Sequence, residues 1–398
     1  MNSRDLLLAA LRGQRPPAMP AAPCYLSLFL ADFERAYYAE QYRQRMAGCS
    51  TRAIDHAEDT RLRARALYQA YGIFKARPDW IEVERGASRA WAERTWLLLE
   101  DDQLVYQDTA TGQRAPVLSA PLPRGEPALI TGERSHRDVW DASASLQAEA
   151  DLDALVPVPD PAELLARGDF DLPRQVAADY GDRFFISTVV GTPYSQCYNR
   201  LGFQGLMLIQ HDRPQLFHRL LERQLAALQH ELAAWAAAGL HGIFAEEIYS
   251  GADLISARAY DEFVFGYNQP FFRRMRELGL LAIYYMCGDA MPRLKRMAEL
   301  DVAALAVEES KKKFRIEIDE VVRQVGDRVS VMGNIDAVRF GLRAGLDEMA
   351  AEVRRQAASG ARARGFVVST GSPFPLDSNP RLIDTLVTTA HACRPKPQ

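Results

Sequence analysis

Six short apolar runs punctuate the second half of the chain, at 184–190, 243–247, 281–287, 303–309, 329–334 and 366–372. Each stops on a chemically useful residue, and helix-like stretches separate five of them. A buried strand followed by a helix, repeated, builds a parallel β/α structure. The clearest helical stretch is 215–238. There Phe217, Leu221, Leu225, Leu228, Leu232 and Trp235 recur at steps of four, four, three, four and three, and Gly239 supplies the stop. Ser256 can cap the next helix, Pro270 bends or divides it, and Gly279 closes it before the 281–287 run.

The first half is less regular. A proline-rich stretch from Arg15 introduces the expected first barrel strand at 19–29, and 33–76 reads as helical. Runs 80–85, 94–99 and 104–106 read as strands, the last two flanking the Glu100-Asp101-Asp102 turn as a hairpin. Residues 107–180, rich in Pro, Asp and Ala, read as surface insertions with short helices near Asp138 and Pro161. Residues 1–14 read as an amphipathic helix with Ser3 as cap, Leu6, Leu7, Ala10 and Leu11 as its stripe, and Gly13 at its end. The pattern predicts an α/β fold: one (β/α)8 TIM barrel over residues 1–398, with an inserted β-hairpin and loops at about 80–180 and an N-terminal helical extension.

With 398 residues the chain can bury a large core, and a net charge of -4 does not imply a polyanionic partner. The Lys311-Lys312-Lys313 run reads as a solvated loop or helix start rather than a nucleic-acid patch. No run of about twenty apolar residues offers a membrane span, and the first 14 residues are too short and polar for a signal peptide. Five cysteines without paired spacing fit a reducing cytoplasm.

Residues just past barrel strand ends form one shared pocket. The tips here carry Glu246, Glu247, Cys287, Asp289, Glu308, Asn334, Asp336, Ser369, Thr370 and Ser372. Cys287 can ligate a soft metal, act as a nucleophile, or simply fill the core. A metal site combining Cys287 with Glu246 or Glu247 and a third oxygen donor is one arrangement; a carboxylate serving as general acid or base is another. Strand alternation sends only one of Glu246 and Glu247 inward, Glu246 in phase with Phe244 and Glu247 with Ile243. The competing role for either is an ion pair, as with Arg258. Glu308 and Glu309 have Lys311 to Lys313 as ready partners. Asn334 can donate and accept toward a ligand, and Asp336 can cap the following helix. Ser369, Thr370 and Ser372 can hold an anionic group. Nothing nearby supplies the histidine of a Ser-His-Asp arrangement, which argues against a serine hydrolase.

Taken together, Tyr285-Met286-Cys287-Gly288-Asp289, Val307-Glu308-Glu309-Ser310-Lys311, Gly326-Asp327-Arg328-Val329, Gly333-Asn334-Ile335-Asp336 and Ser369-Thr370-Gly371-Ser372-Pro373 resemble the uroporphyrinogen decarboxylase superfamily. The opening from Ser3 to Arg15 and Gly191-Thr192-Pro193-Tyr194 also resemble that family, and the likeness is strongest over 182–390. The resemblance implies a (β/α)8 barrel with its site at the strand C-terminal ends, and two chemistries. Authentic decarboxylases act on a tetrapyrrole without a cofactor and carry an arginine-rich Met-Arg-Gln-Ala-Gly-Arg-Tyr motif near the N-terminus. At that place this chain has Cys24-Tyr25-Leu26-Ser27-Leu28-Phe29-Leu30, with no arginine. A polycarboxylate would thereby lose contacts worth roughly 1.5 to 3 kcal/mol each.

The second branch implied by the resemblance exchanges methyl groups with corrinoid proteins or thiols. Many of its members hold zinc through His-x-Cys at one strand end and a second cysteine at the last. Cys287 matches the first cysteine, but Tyr285 stands at the histidine position and the second cysteine falls near Thr370. Other members act on methylated amines or ethers without that site, and this chain is more similar to those. Tyr25, Trp80, Tyr194, Tyr249, Tyr284 and Tyr285 would then wall a cationic or aromatic methyl donor, or else pack the barrel mouth. The expected function is methyl transfer between a small methylated donor and a corrinoid protein or thiol. Glu246 or Glu247 would polarise or ligate, Cys287 would bind zinc or line the pocket, and Asn334 would orient the substrate. The alternatives are a carboxy-lyase acting on a tetrapyrrole or smaller acid, with Glu246 or Asp289 moving the proton, and a non-catalytic cobamide- or tetrapyrrole-binding barrel. The resemblance also implies a homodimer.

Overall fold

The structure, a computed structural model, describes residues 1–46, 48–101, 103–117 and 149–394. The helix expected near Asp138 lies outside the described residues. Strands are numbered in chain order. β2 (Trp80–Glu82), β6 (Phe185–Gly191), β7 (Gly242–Glu247), β8 (Leu281–Met286), β9 (Ala304–Val307), β10 (Ser330–Met332) and β11 (Phe366–Val367) form one parallel sheet in the order β11-β10-β9-β8-β7-β6-β2. The sheet curls, and an extended segment around Ala21 joins its two edges. The amide of Ala22 donates to Val368 O (2.9 Å), Val368 N to Pro20 O (2.8 Å), and Asp79 N to Ala21 O (2.8 Å). Ala21 N in turn donates to the Asp79 carboxylate at 2.7 Å.

That segment is far shorter than the expected strand over 19–29. Pro17, Pro20 and Pro23 lack the N–H groups a regular ladder needs. Tyr25 then turns the backbone into the left-handed region, with φ of 54°, and the Leu26–Arg45 helix starts at once.

Strand alternation sorts the core into layers. Trp80, Phe185, Phe244, Ile283, Tyr285, Ala304, Ala306, Met332 and Val367 fill the ring. Ile81, Ile186, Ile243, Ala245, Tyr284, Leu305, Val331 and Phe366 face the helices outside it. The bottom is stoppered by the Ser3–Leu11 helix, whose Leu7, Ala10 and Leu11 join the interior cluster. Its cap is Asn2 rather than the expected Ser3: the Asn2 side chain accepts from Asp5 N, leaving Ser3 as the first helical residue.

The expected hairpin belongs to a larger antiparallel sheet, β1 (Thr51–Ala53), β3 (Thr95–Glu100), β4 (Gln103–Asp108) and β5 (Arg114–Pro116), ordered β1-β3-β4-β5. Between it and the Leu26–Arg45 and His56–Tyr71 helices, Arg63 is buried with Nε donating to Asp59 (2.6 Å) and Nη2 to the hydroxyl of Tyr106 (3.3 Å). Among the described residues, no helix is long and apolar enough to cross a membrane.

Candidate active site

The interior phase of each strand continues to its C-terminal tip. Phe244 points into the ring, so Glu246 does too; Trp80 leads to Glu82, Tyr285 to Cys287, and Ala306 to Glu308. Glu246 is only partly buried, and the Tyr25 phenol donates to it. Burial lifts the Glu246 pKa above the ordinary carboxyl range, with the Tyr25 hydrogen bond pulling the other way. The Tyr25 ring lies edge-on to Phe244 at 5.5 Å and to Tyr285 at 5.9 Å, on top of the packed interior.

Glu247 takes the opposite direction. It is fully buried outside the ring and accepts from Thr192 Oγ1 (2.8 Å), Asn268 Nδ2 (2.9 Å), Ser195 Oγ (3.2 Å) and the Tyr284 hydroxyl (3.3 Å). Burial pushes its pKa up to about 7 even against those donors. Neither glutamate pairs with Arg258, whose partner is Glu262 at 3.6 Å.

Beside Glu246, the half-buried Cys287 donates to Glu308 Oε2 at 3.6 Å, and that same oxygen accepts from Gly288 N at 2.8 Å. Burial, with Glu308 and Glu246 adding negative charge nearby, pushes the thiol up to about 12, so it is uncharged at neutral pH. Lys311 Nζ reaches Glu308 at 3.2 Å and also bonds Glu309, which accepts from Ser372 Oγ at 2.9 Å. The expected association of Glu308, Glu309 and Lys311 is therefore present in space.

Asn334 lies at the same end, yet its amide is used internally. Nδ2 donates to Glu308 O (3.1 Å) and Ile316 O (3.0 Å), tying down the β9 loop, and Oδ1 accepts from Gln356 at 3.3 Å. Asp289 braces the neighbouring turn through Met291 N at 3.1 Å. Asp336 caps the next helix by accepting from Arg339 N at 2.8 Å. Ser369 is buried and donates to Ala22 O at 2.7 Å, back toward the seam.

The aromatic residues separate into different layers. Trp80 is wholly inside the ring, its indole N–H on Pro23 O at 3.1 Å. Tyr285 is beneath the rim, with its hydroxyl on Gly371 O at 2.8 Å. Tyr194 and Tyr284 are buried outside the ring. Of the expected wall, Tyr25 and Tyr249 remain half-exposed at the mouth.

Three rim residues were not singled out from the sequence. Glu82 accepts from Tyr25 N (2.9 Å) and Ser27 N (3.1 Å), closing the N-terminus of the Leu26–Arg45 helix. Burial nevertheless lifts its pKa to about 7. Its in-phase position behind Trp80 was the available signal. Tyr198 and Phe203 contact Tyr249, and nothing in their helical spacing marks them. A surface groove of about 680 Å³ between His56, Arg89, Asp171 and Arg174 lies apart from the strand ends.

A family model described as uroporphyrinogen decarboxylase (URO-D) matches residues 144–393 of the 398. The chain belongs to the uroporphyrinogen decarboxylase family. A curated relative of that name from Methylococcus capsulatus is 26% identical over 247 residues, covering 60% of this chain and 67% of its own. Another from Nitrosospira multiformis is 24% identical over 302 residues, covering 73% and 76%. A methyltransferase from Methanosarcina mazei matches 98% of both chains with a TM-score of 0.64 at 15% identity, a likeness of fold. The thiol-activating zinc of some uroporphyrinogen decarboxylase relatives does not suit the donors present here. Tyr285 spends its hydroxyl on Gly371 O, and Thr370 Oγ1 accepts from Cys24 N at 3.2 Å. Among the described residues, no group of three or more His, Cys, Asp or Glu is placed to hold a metal.

Proposed function

We propose that this chain is a methyltransferase, moving a methyl group between a small methylated donor and a corrinoid protein or thiol. The observation that carries this reading is the charge of the inward rim. By strand phase Glu82, Glu246 and Glu308 lie on its inward side with the uncharged Cys287, and Lys311 pairs with Glu308. Three carboxyl groups, one of them paired with Lys311, give a substrate bearing several carboxylates little attraction and suit a neutral or positively charged one better. Glu246 is the group best placed to hold or deliver a proton at the reacting heteroatom, since burial raises its pKa and Tyr25 fixes its orientation. Cys287 lines the pocket as a thiol. Asn334 acts through the β9 loop that presents Glu308.

A carboxy-lyase reading draws support from the names of the curated relatives. One assay separates the two. Purified protein is mixed with cob(I)alamin and a panel of methylated amines, ethers and thiols, and methylcobalamin is followed by absorbance. Turnover that falls at least tenfold in Glu246→Gln is expected. Carbon dioxide release from a carboxylated substrate, with no methyl transfer across the panel, would overturn the proposal in favour of the lyase.

A further inference from the structure

Just past β7, Tyr249 adopts a left-handed backbone, with φ of 59°, a strained choice for a residue carrying a side chain. Its ring stands 4.5 Å from Tyr198, tilted by 41°, and 5.2 Å from Phe203, tilted by 60°. Phe203 is held there by a break at Gly202 inside the Pro193–Asp212 helix, where φ is 65° and ψ 177°. The break leaves Phe203 37% exposed, while Tyr198 and Tyr249 are half-buried. Two unusual backbone positions, from different barrel segments, thus bring three rings together at the mouth. Tyr249 follows Glu246 by three residues at the same strand tip, and Thr192, which caps the helix carrying Tyr198 and Phe203, donates its amide N–H to Glu246 O at 3.0 Å, so the rings and the carboxyl belong to one corner of the mouth.

The chemistry of that space is selective. Aromatic faces attract cations, most strongly those whose hydration is already weak because methyl groups cover the charge. Glu246 supplies the counter-charge in its ionised form, the form that a cation bound beside it favours. A neutral ether carries no net charge for the rings and Glu246 to attract, and a primary ammonium gives up three hydrogen bonds to water that Glu246 alone restores only in part.

We propose that Tyr198, Phe203 and Tyr249, with Glu246 at their base, bind a methylated onium cation, of the quaternary ammonium or sulfonium class. This rests on the methyltransferase reading insofar as the onium is the methyl donor; its binding is measurable without any transfer.

Calorimetric titration of the full-length protein with tetramethylammonium chloride, alongside the uncharged neopentyl alcohol, tests it. Saturable binding of the cation, at least tenfold tighter than the alcohol, is expected. Phe203→Leu and Tyr249→Leu weaken it about tenfold, whereas Tyr249→Phe, which keeps the ring, retains it; circular dichroism checks the fold of each. Glu246→Gln weakens the cation and leaves the alcohol unchanged. Equal affinity for the two probes, no cation binding, or ring variants that bind normally would overturn the inference. Cation binding without methyl transfer to cobalamin would leave the onium site standing and sink the methyltransferase reading. Methyl transfer without cation binding would do the reverse.

Discussion

Glu247 shows how much a one-residue step along a strand changes. Its neighbour Glu246 meets the mouth, while Glu247 lies in the dry layer outside the ring with a pKa near 7. Ionising it is harder in the folded protein than in the unfolded chain, where the value is about 4.3. Its stabilising contribution is therefore complete below about pH 4.3 and disappears as the pH climbs to about 7. Glu82 follows the same direction over the same window. Urea unfolding of wild type between pH 4.5 and 7.5 is expected to show that loss. Glu247→Gln should remove Glu247's share, about 4 kcal/mol at most; an unchanged pH profile would show that Glu247 is not the source. The phase of each glutamate could be read from Ile243 and Phe244, but the direction of that phase could not. It took the position of Trp80, Ile283 and Tyr285 inside the ring to decide it. Phe203 was illegible because its exposure follows from a backbone break at Gly202, and glycine in a helical stretch carries no such message by itself.

Among the elements, the second half of the barrel was readable because each strand is apolar on both faces and each helix carries an apolar stripe. The long helix expected at 215–238 is Pro214–Ala237, and the strand expected at 184–190 is Phe185–Gly191. The expected strand at 366–372 forms regular ladder pairs only at Phe366–Val367, since its tip peels away to make side-chain bonds. The N-terminal helix has a larger part than its amphipathic pattern suggested, because its stripe completes the barrel interior instead of covering an outer surface. Leu7→Ala should accordingly cost about 2–5 kcal/mol, measured by urea unfolding, and Leu8→Ala, at a partly exposed position, clearly less. Equal losses at the two sites would contradict the stopper arrangement.

Across the whole molecule, ring closure depends on very little regular pairing. Between β2 and β11 stands one short extended segment, and the Asp79 side chain substitutes for part of a ladder by taking Ala21 N and contacting His391 Nε2 at 2.8 Å. Asp79→Ala is expected to destabilise the fold by about 1–3 kcal/mol and to speed hydrogen exchange selectively at Ala21, Ala22 and Val368. Uniform acceleration over all strands would mean the seam has no special weakness. Closure of this kind is beyond periodicity, because a proline-interrupted segment gives no strand signal. The burial of Cys287 has a practical side as well. Cys24 and Cys197 are shut away, Cys393 is half-covered, and Cys287 resists conversion to the reactive anion, whereas Cys49 is open to solvent. A maleimide dye applied at neutral pH would mark Cys49 first, giving a single-point reporter just before the Thr51–Ala53 strand.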